Sequence, residues 1–268
     1  MKIQNFFHKH PVFRYEMFAA FLDADGPRSA KTRDALLAYH VKAGHLLRVR
    51  RGLYAVVPEG ISPESHQVDP YLLGANMTED AVLAYHSALQ FHGKAYSVHR
   101  RFPYLSGCPR RPLEFQGQEF TSVSFSKSLR DSQTELFGVE DHKHAGGQVR
   151  VTNLERTMVD VLVRPDLSGG WEEVWRSLES VEYFNLDQVT DYVLMLRNAT
   201  AVAKVGFFLA QHREALMVDD ARLGVLRKHV PKQPCYLDRS RRNSGKLVPS
   251  WRLVVPPAVL ERGWEEDA

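Results

Sequence analysis

The sequence predicts an α+β chain, an N-terminal winged helix-turn-helix followed by a larger mixed α+β C-terminal domain. Three observations predict it. Between Ser29 and Val57 a helical period gives way to a period of two. The switch falls on an arginine cluster, Arg48, Arg50 and Arg51, beside a glycine, Gly52. Beyond a breaker-rich stretch, short alternating runs are mixed with amphipathic helical ones through to the C-terminus.

Length and composition frame these elements. At 268 residues the chain has room for two domains, and 44% hydrophobic with 25% charged residues is an ordinary globular composition. No apolar run approaches the ~20 residues of a membrane span. Met1 to His8 lacks the apolar core of a signal peptide, and Cys108 and Cys235 are too few for a disulfide framework. The expectation is a cytoplasmic protein without a membrane partner. The net charge of +3 is unevenly spread: residues 1–58 alone carry +6, and the rest of the chain is acidic by three. A concentrated basic segment suits a polyanionic partner.

Taken in order, residues 3–10 read as a short amphipathic helix stopped by Pro11, and residues 12–22 as a second helix. Its Phe13, Phe18 and Phe21 are spaced for the core. The cluster 23–27 is a turn. Ser29 then caps a helix that Gly44 ends in a left-handed conformation. At ~100° per residue, Ala30, Leu36, Leu37, His40, Val41 and Gly44 share one side of it. Arg28, Lys31, Thr32, Ala35, Tyr39 and Lys42 share the other, a cationic face on which small residues allow close approach. The ribbon of Leu47, Val49, Leu53 and Val56 follows, with Arg48, Arg50 and Arg51 interrupting it and Gly52 at its turn. In such a layout the helix enters the major groove and the ribbon meets phosphates or the minor groove. The predicted partner is therefore double-stranded DNA.

Residues 59–68 read as a linker between domains 1–58 and 69–268. Asp69-Pro70 opens a short helix, and Thr78 caps another over 79–92, ended by Gly93. On that helix His86 and His92 are about 240° apart and do not converge on one metal ion, so no metal is expected. Strands are predicted at 102–106, 113–115, 121–125, 136–140 and 148–151. Arg100 and Arg101 with Arg110 and Arg111 bracket the first as a secondary basic surface. Thr152 and Glu155 form a capping box for the next helix, on which Arg156 and Asp160 stand four apart, a pairing worth roughly 0.2–0.5 kcal/mol if exposed. Helices follow at 171–182, 186–195, 201–216 and 222–229, the second started by Asn185 or Asp187. Residues 236–238 and a strand over 247–256 read as a hairpin around a basic loop holding Arg239, Arg241 and Arg242, the remainder of the secondary basic surface.

No pattern of catalytic residues competes with binding. The chain lacks a phosphate-binding glycine loop, a dinucleotide fingerprint and H-E-x-x-H. His212-Arg213-Glu214 has half of a zinc-deaminase signature, but Cys235 has no second cysteine three residues on. A metal-dependent nuclease needs clustered carboxylates with a lysine, and Leu113-Glu114-Phe115 is followed by Gln116 in that place. Neither an enzyme nor a cofactor is expected.

Three stretches carry a family resemblance. Gly-His-Leu-Leu-Arg-Val-Arg-Arg-Gly-Leu-Tyr (44–54) resembles the G-x-L-x-R-V-R-R-G-x-Y signature of the AbiEi antitoxin family. Ser-Ala-Leu-Gln-Phe-His-Gly (87–93) resembles its S-A-L-x-x-H-G element, and residues 151–160 resemble V-T-x-x-E-R-T-x-x-D. Gly206 matches a glycine that the family often has in a later helix. The resemblance implies a transcriptional autorepressor whose winged helix binds promoter DNA. It also implies a C-terminal domain that counters a nucleotidyltransferase-like toxin, with direct toxin contact not assumed. The alternatives are a stand-alone winged-helix regulator with a sensing C-terminal domain, and a DNA-acting nuclease.

Overall fold

The computed structural model describes residues 2–24, 26–238 and 245–262. It is an α+β fold, and the described chain divides into two compact units. One comprises Met1–Leu83, Arg100–Ser124 and Glu140–Val151; the other comprises Ala84–His99, Phe125–Val139 and Thr152–Ala268. This division does not follow the expected linker at 59–68, because residues on both of its sides belong to the first unit.

The first unit begins with α1 (Lys2–Lys9), β1 (Val12–Arg14), α2 (Tyr15–Asp23), α3 (Ala30–Lys42), β2 (Leu46–Arg50) and β3 (Leu53–Val56). Their sheet has the order β1-β3-β2, all antiparallel, which is the topology of a winged helix. Residues 12–14 are thus a strand and not the start of a helix. Val12 and Phe13 pair with Ala55 and Tyr54 and are buried between Pro11 and the helix start. The core is aromatic: Phe6, Phe7, Phe13, Phe18 and Tyr54 cluster with Leu22, Leu37 and Leu46. The ring of Phe13 lies edge-on to Phe6 at 5.2 Å and stacks on Tyr54 at 5.6 Å, in the offset geometries that favour aromatic pairs.

The linker segment is held in place. The Gln116 side chain donates to the His66 carbonyl (2.7 Å) and accepts from the Val68 N–H (2.9 Å), satisfying two backbone groups of an irregular segment. Gln116, at the position a nuclease lysine would take, is therefore a strap for the linker. After it come α4 (Pro70–Ala75), capped by Asp69, and a six-stranded sheet. Its strands are β4 (Val82–Leu83), β5 (Arg101–Ser106), β6 (Leu113–Phe115), β7 (Gln118–Ser124), β8 (Val139–His144) and β9 (Gly147–Thr152), in the order β6-β7-β5-β4-β9-β8. Strand β5 runs parallel to β7 and antiparallel to β4, while β4 is parallel to β9. The helix expected over 79–92 is absent in its first half, because Val82 and Leu83 pair with Leu105 and Tyr104 instead.

The second unit is mainly helical: α5 (His86–Phe91), α6 (Lys127–Asp131), α7 (Leu154–Val163), α8 (Trp171–Glu179), α9 (Leu186–Met195), α10 (Ala199–Gln211) and α11 (Asp220–Arg227). Helix α9 starts at Asn185, whose side chain accepts from the N–H groups of Asp187 and Gln188. On α10, a Cβ at Gly206 would lie 2.2 Å from the ring of Trp251, so only glycine permits this approach. Strands β10 (Cys235–Tyr236), β11 (Lys246–Val248) and β12 (Leu253–Val255), with α12 (Pro257–Leu260), complete the unit. Here the expected hairpin is corrected. Strand β10 pairs with β12 in parallel, and β11 is the antiparallel partner. Pro249 breaks the predicted 247–256 strand, and Arg252 in the left-handed region (φ 48°) turns the chain back. Among the described residues no helix is long and apolar enough to cross a membrane.

Candidate nucleic-acid interface

Helix α3 is built as its sequence dictates. The Ser29 hydroxyl accepts the N–H of Thr32 at 3.2 Å, and Gly44 takes a positive φ of 75° just past the end. Asp23 closes the turn between α2 and α3. Its carboxylate accepts the Arg28 N–H (3.0 Å) and pairs with Arg33 (2.6 Å), which together hold its pKa below the usual carboxylate value. Arg33 is thereby directed to α2, and the cations left on the outer face are Arg28, Lys31 and Lys42. These three, with Thr32, Ala35 and Tyr39, are exposed. On the opposite side Leu37 is buried and Leu36, His40 and Val41 are half-buried, as the period requires, although Ala30 is exposed.

The wing departs from a regular hairpin. Arg48 pairs with Tyr54 but Arg50 with Leu53, so Val49 is an extra residue, a β-bulge. In a regular strand Arg48 and Arg50 would share a face. The bulge separates them. Arg48 is exposed and lines a cleft of about 890 Å³ between the wing and α3, together with Lys42, Ala38, Asp34 and Arg51. Arg50 turns the other way and donates to the Met77 carbonyl. It is half-buried, and that burial lowers its pKa from the ordinary arginine value. Arg51 is exposed at the tip, where Gly52 (φ 80°) makes the turn. Among the described residues Arg48, Arg51, Lys31 and Lys42 have no side-chain hydrogen bond or ion pair. Arg50 is thus a tether, and not one of the groups that the structure leaves facing solvent.

Two further arginines reach the same segment. Arg14 donates to the Thr78 carbonyl at 3.3 Å, and Arg150 donates to the Glu79 carbonyl. Three guanidinium groups from β2, β1 and β9 therefore take three successive carbonyls, 77 to 79. Sequence reading missed this clamp, since nothing local to Arg14 or Arg150 names a partner more than 60 residues away.

The secondary basic residues form no single patch. Arg100 and Arg101 lie at the start of β5, where Arg101 pairs with Glu119 at 3.3 Å. Arg110 and Arg111 lie beyond its other end, roughly 17 Å away or more along a six-residue strand. All four are exposed. Arg239, Arg241 and Arg242 lie outside the described residues.

The strand–helix junction at 151–160 is structural, and its cap is shifted by one residue from the expected box. Asn153 is the N-cap and accepts from the Arg156 N–H at 3.0 Å. The Thr152 hydroxyl instead bonds that of Thr157 at 2.7 Å, and the Glu155 side chain accepts the N–H of Asn185. Arg156 is 1% exposed, so its partner Asp160 is a buried one and not a surface pair. Arg156 donates to the carbonyls of Glu135 (2.6 Å) and Phe137 (2.7 Å), and Tyr192 donates to Asp160 (2.8 Å).

His86 does not meet His92. It meets His99 and Glu173, and the ligand atoms of the three lie within 4.8 Å of one another. The imidazoles stack face to face, with centroids 3.9 Å apart and planes at 20°. Their in-plane lone pairs therefore lie in two nearly parallel planes and do not converge on one ion. Glu173 is already engaged at both oxygens, accepting from the Ser97 N–H, the Ser97 hydroxyl and the Ser177 hydroxyl. The cluster fastens the loop before β5 to α8. Burial, followed by the neighbouring His99, lowers the His86 pKa to about 4, against the opposing pull of Glu173.

These features define an α+β protein with an N-terminal winged helix whose outer helix face and wing tip carry solvent-facing cations. No family model matches the chain, and no curated protein matches it. Among solved structures it is similar to the crystal structure of the RV2827C protein from Mycobacterium tuberculosis. That likeness has a TM-score of 0.59 at 16% sequence identity, over 98% of this chain and 94% of that one. At such identity the shared property is the fold.

Proposed function

We propose that the chain is a DNA-binding transcriptional autorepressor and the antitoxin of an AbiE-type pair. In this reading it binds its promoter through the winged helix and counters a nucleotidyltransferase-like toxin through its C-terminal part. One observation carries the DNA step: Lys31, Lys42, Arg48 and Arg51 surround the outer face of α3 and the wing cleft without internal partners among the described residues. Exposed cations on a rigid frame release counterions when they meet phosphates. Lys31 and Thr32, in the first turn of α3, face base edges, while Arg48 and Arg51 meet the backbone. Tyr39 and Lys42 support the far end of the same contact, and Arg28 its start. The antitoxin assignment is supported by the three motif stretches and by their separation along the chain.

The test of the DNA step is a gel-shift titration against the chain's own upstream DNA and a scrambled duplex of equal length, at two salt concentrations. Selective binding to the upstream duplex that weakens steeply with salt is the expected result. Equal, weak binding to both would remove the promoter role. In the same assay Lys31→Ala should alter sequence preference, because a lost base contact costs about 1–3 kcal/mol at one position. For the antitoxin step, co-expression with an adjacent nucleotidyltransferase gene should relieve growth arrest; continued arrest would sink that assignment.

A further inference from the structure

We infer that the DNA-contacting surface continues past the wing tip onto the loop 107–112, where Arg110 and Arg111 take backbone phosphates flanking the winged-helix site. This rests on the winged-helix reading. The wing tip, Arg51-Gly52, walls two clefts. The first is shared with α3. The second, of about 780 Å³, is lined by Arg50 and Leu53 of the hairpin and by Cys108 and Arg110.

The loop Gly-Cys-Pro-Arg-Arg-Pro is fixed in its backbone and open in its side chains. The Arg110 N–H donates to the Ser122 hydroxyl (2.8 Å), and that hydroxyl donates back to the Arg110 carbonyl (2.7 Å). Asp80 accepts from the Ser106 hydroxyl (2.7 Å) and from the Gly107 N–H. Pro109 and Pro112 restrict φ on either side. The guanidinium groups of Arg110 and Arg111 are exposed and without a hydrogen bond or ion pair among the described residues.

Wing and loop share one anchor. The carbonyls of Met77 and Thr78 hold the wing sheet through Arg50 and Arg14, and Asp80, two residues on, holds the start of the loop. The separation of Arg51 from Arg110 is therefore set by the fold, as two contacts along one phosphate ribbon require. Glu16, Glu79 and Asp80 also line the second cleft and their charge repels an anion, so a phosphate is taken by the exposed Arg51 and Arg110 and not by the cleft interior.

The experiment uses the full chain and two duplexes: the shortest upstream fragment that wild type binds selectively, and the same fragment extended by about ten base pairs on each side. Each phosphate contact contributes about 0.9 to the salt slope. On the longer duplex Arg110→Ala/Arg111→Ala should lower that slope by about 1.8 with sequence preference unchanged, and Arg110→Lys/Arg111→Lys should restore it. On the shorter duplex the alanine pair should match wild type. An unchanged slope on the longer duplex, or an equal loss on both, would overturn the inference while leaving the winged-helix contact standing. If wild type bound neither duplex selectively, the underlying reading would fail first.

Discussion

Arginine does opposite work in the two units. In the wing, Arg48 and Arg51 are exposed, with no side-chain partner among the described residues. In the second unit Arg156 is buried, paired with Asp160 and donating to two carbonyls. Arg50 stands between these cases, half-buried with its guanidinium on one carbonyl. The difference teaches that the number of backbone acceptors within reach decides whether a guanidinium organises the fold or stays free for a ligand. A buried guanidinium left unpaired is costly, and the fold around Arg156 supplies one carboxylate and two carbonyls as acceptors.

The largest effect expected from this contrast is at Arg156. Arg156→Leu should destabilise the chain by roughly 3–5 kcal/mol in urea unfolding, because Asp160 is left buried without its cation. The salt slope of DNA binding, measured where the variant is folded, should not change. A loss below about 1 kcal/mol would break the comparison. Arg50→Ala should cost about 1.5–3 kcal/mol, the range for a hydrogen bond to a charged group, also without a change in salt slope. A slope reduced by about one unit would return Arg50 to the DNA-contacting set.

Histidine sharpens the same contrast between burial and exposure. His86 is held neutral in the fold, with its pKa lowered to about 4. The unfolded chain takes up that proton near pH 6.5, so between pH 6.5 and 4 the unfolded state binds more protons and stability is lost as the pH is lowered. The contribution is at most about 1.4 kcal/mol per pH unit. Unfolding curves of wild type and His86→Gln between pH 7 and 4.5 should differ by that slope. Parallel curves would mean that His86 is not shielded as its burial implies.

How much of this was legible in the sequence depends on range. The Ser29 cap, the Gly44 stop, the Gly52 turn and the exposed face of α3 are local, and each is where its sequence neighbours place it. Strands β1 and β4 were not legible, since three and two residues carry no period and their partners are remote. The cap at Asn153 was misplaced by one residue because Thr152 and Asn153 are both good cap formers, and the Thr152–Thr157 hydroxyl pair decides between them. For Arg50 the signal was a bulge, which a regular alternation hides. The burial of Arg156 depends on carbonyls at Glu135 and Phe137, from a segment about 20 residues upstream that no periodicity connects to it.

The central claim is that Arg48 and Arg51 are free in the fold because they belong to DNA. The most direct measurement is the salt dependence of binding to the upstream duplex for wild type, Arg48→Ala and Arg51→Ala, alongside their urea stabilities. Stabilities should stay within about 0.5 kcal/mol of wild type, as for exposed side chains, and the slope should fall by about 0.9 for each variant. Variants with wild-type slopes, or ones that lose stability in place of affinity, would contradict it.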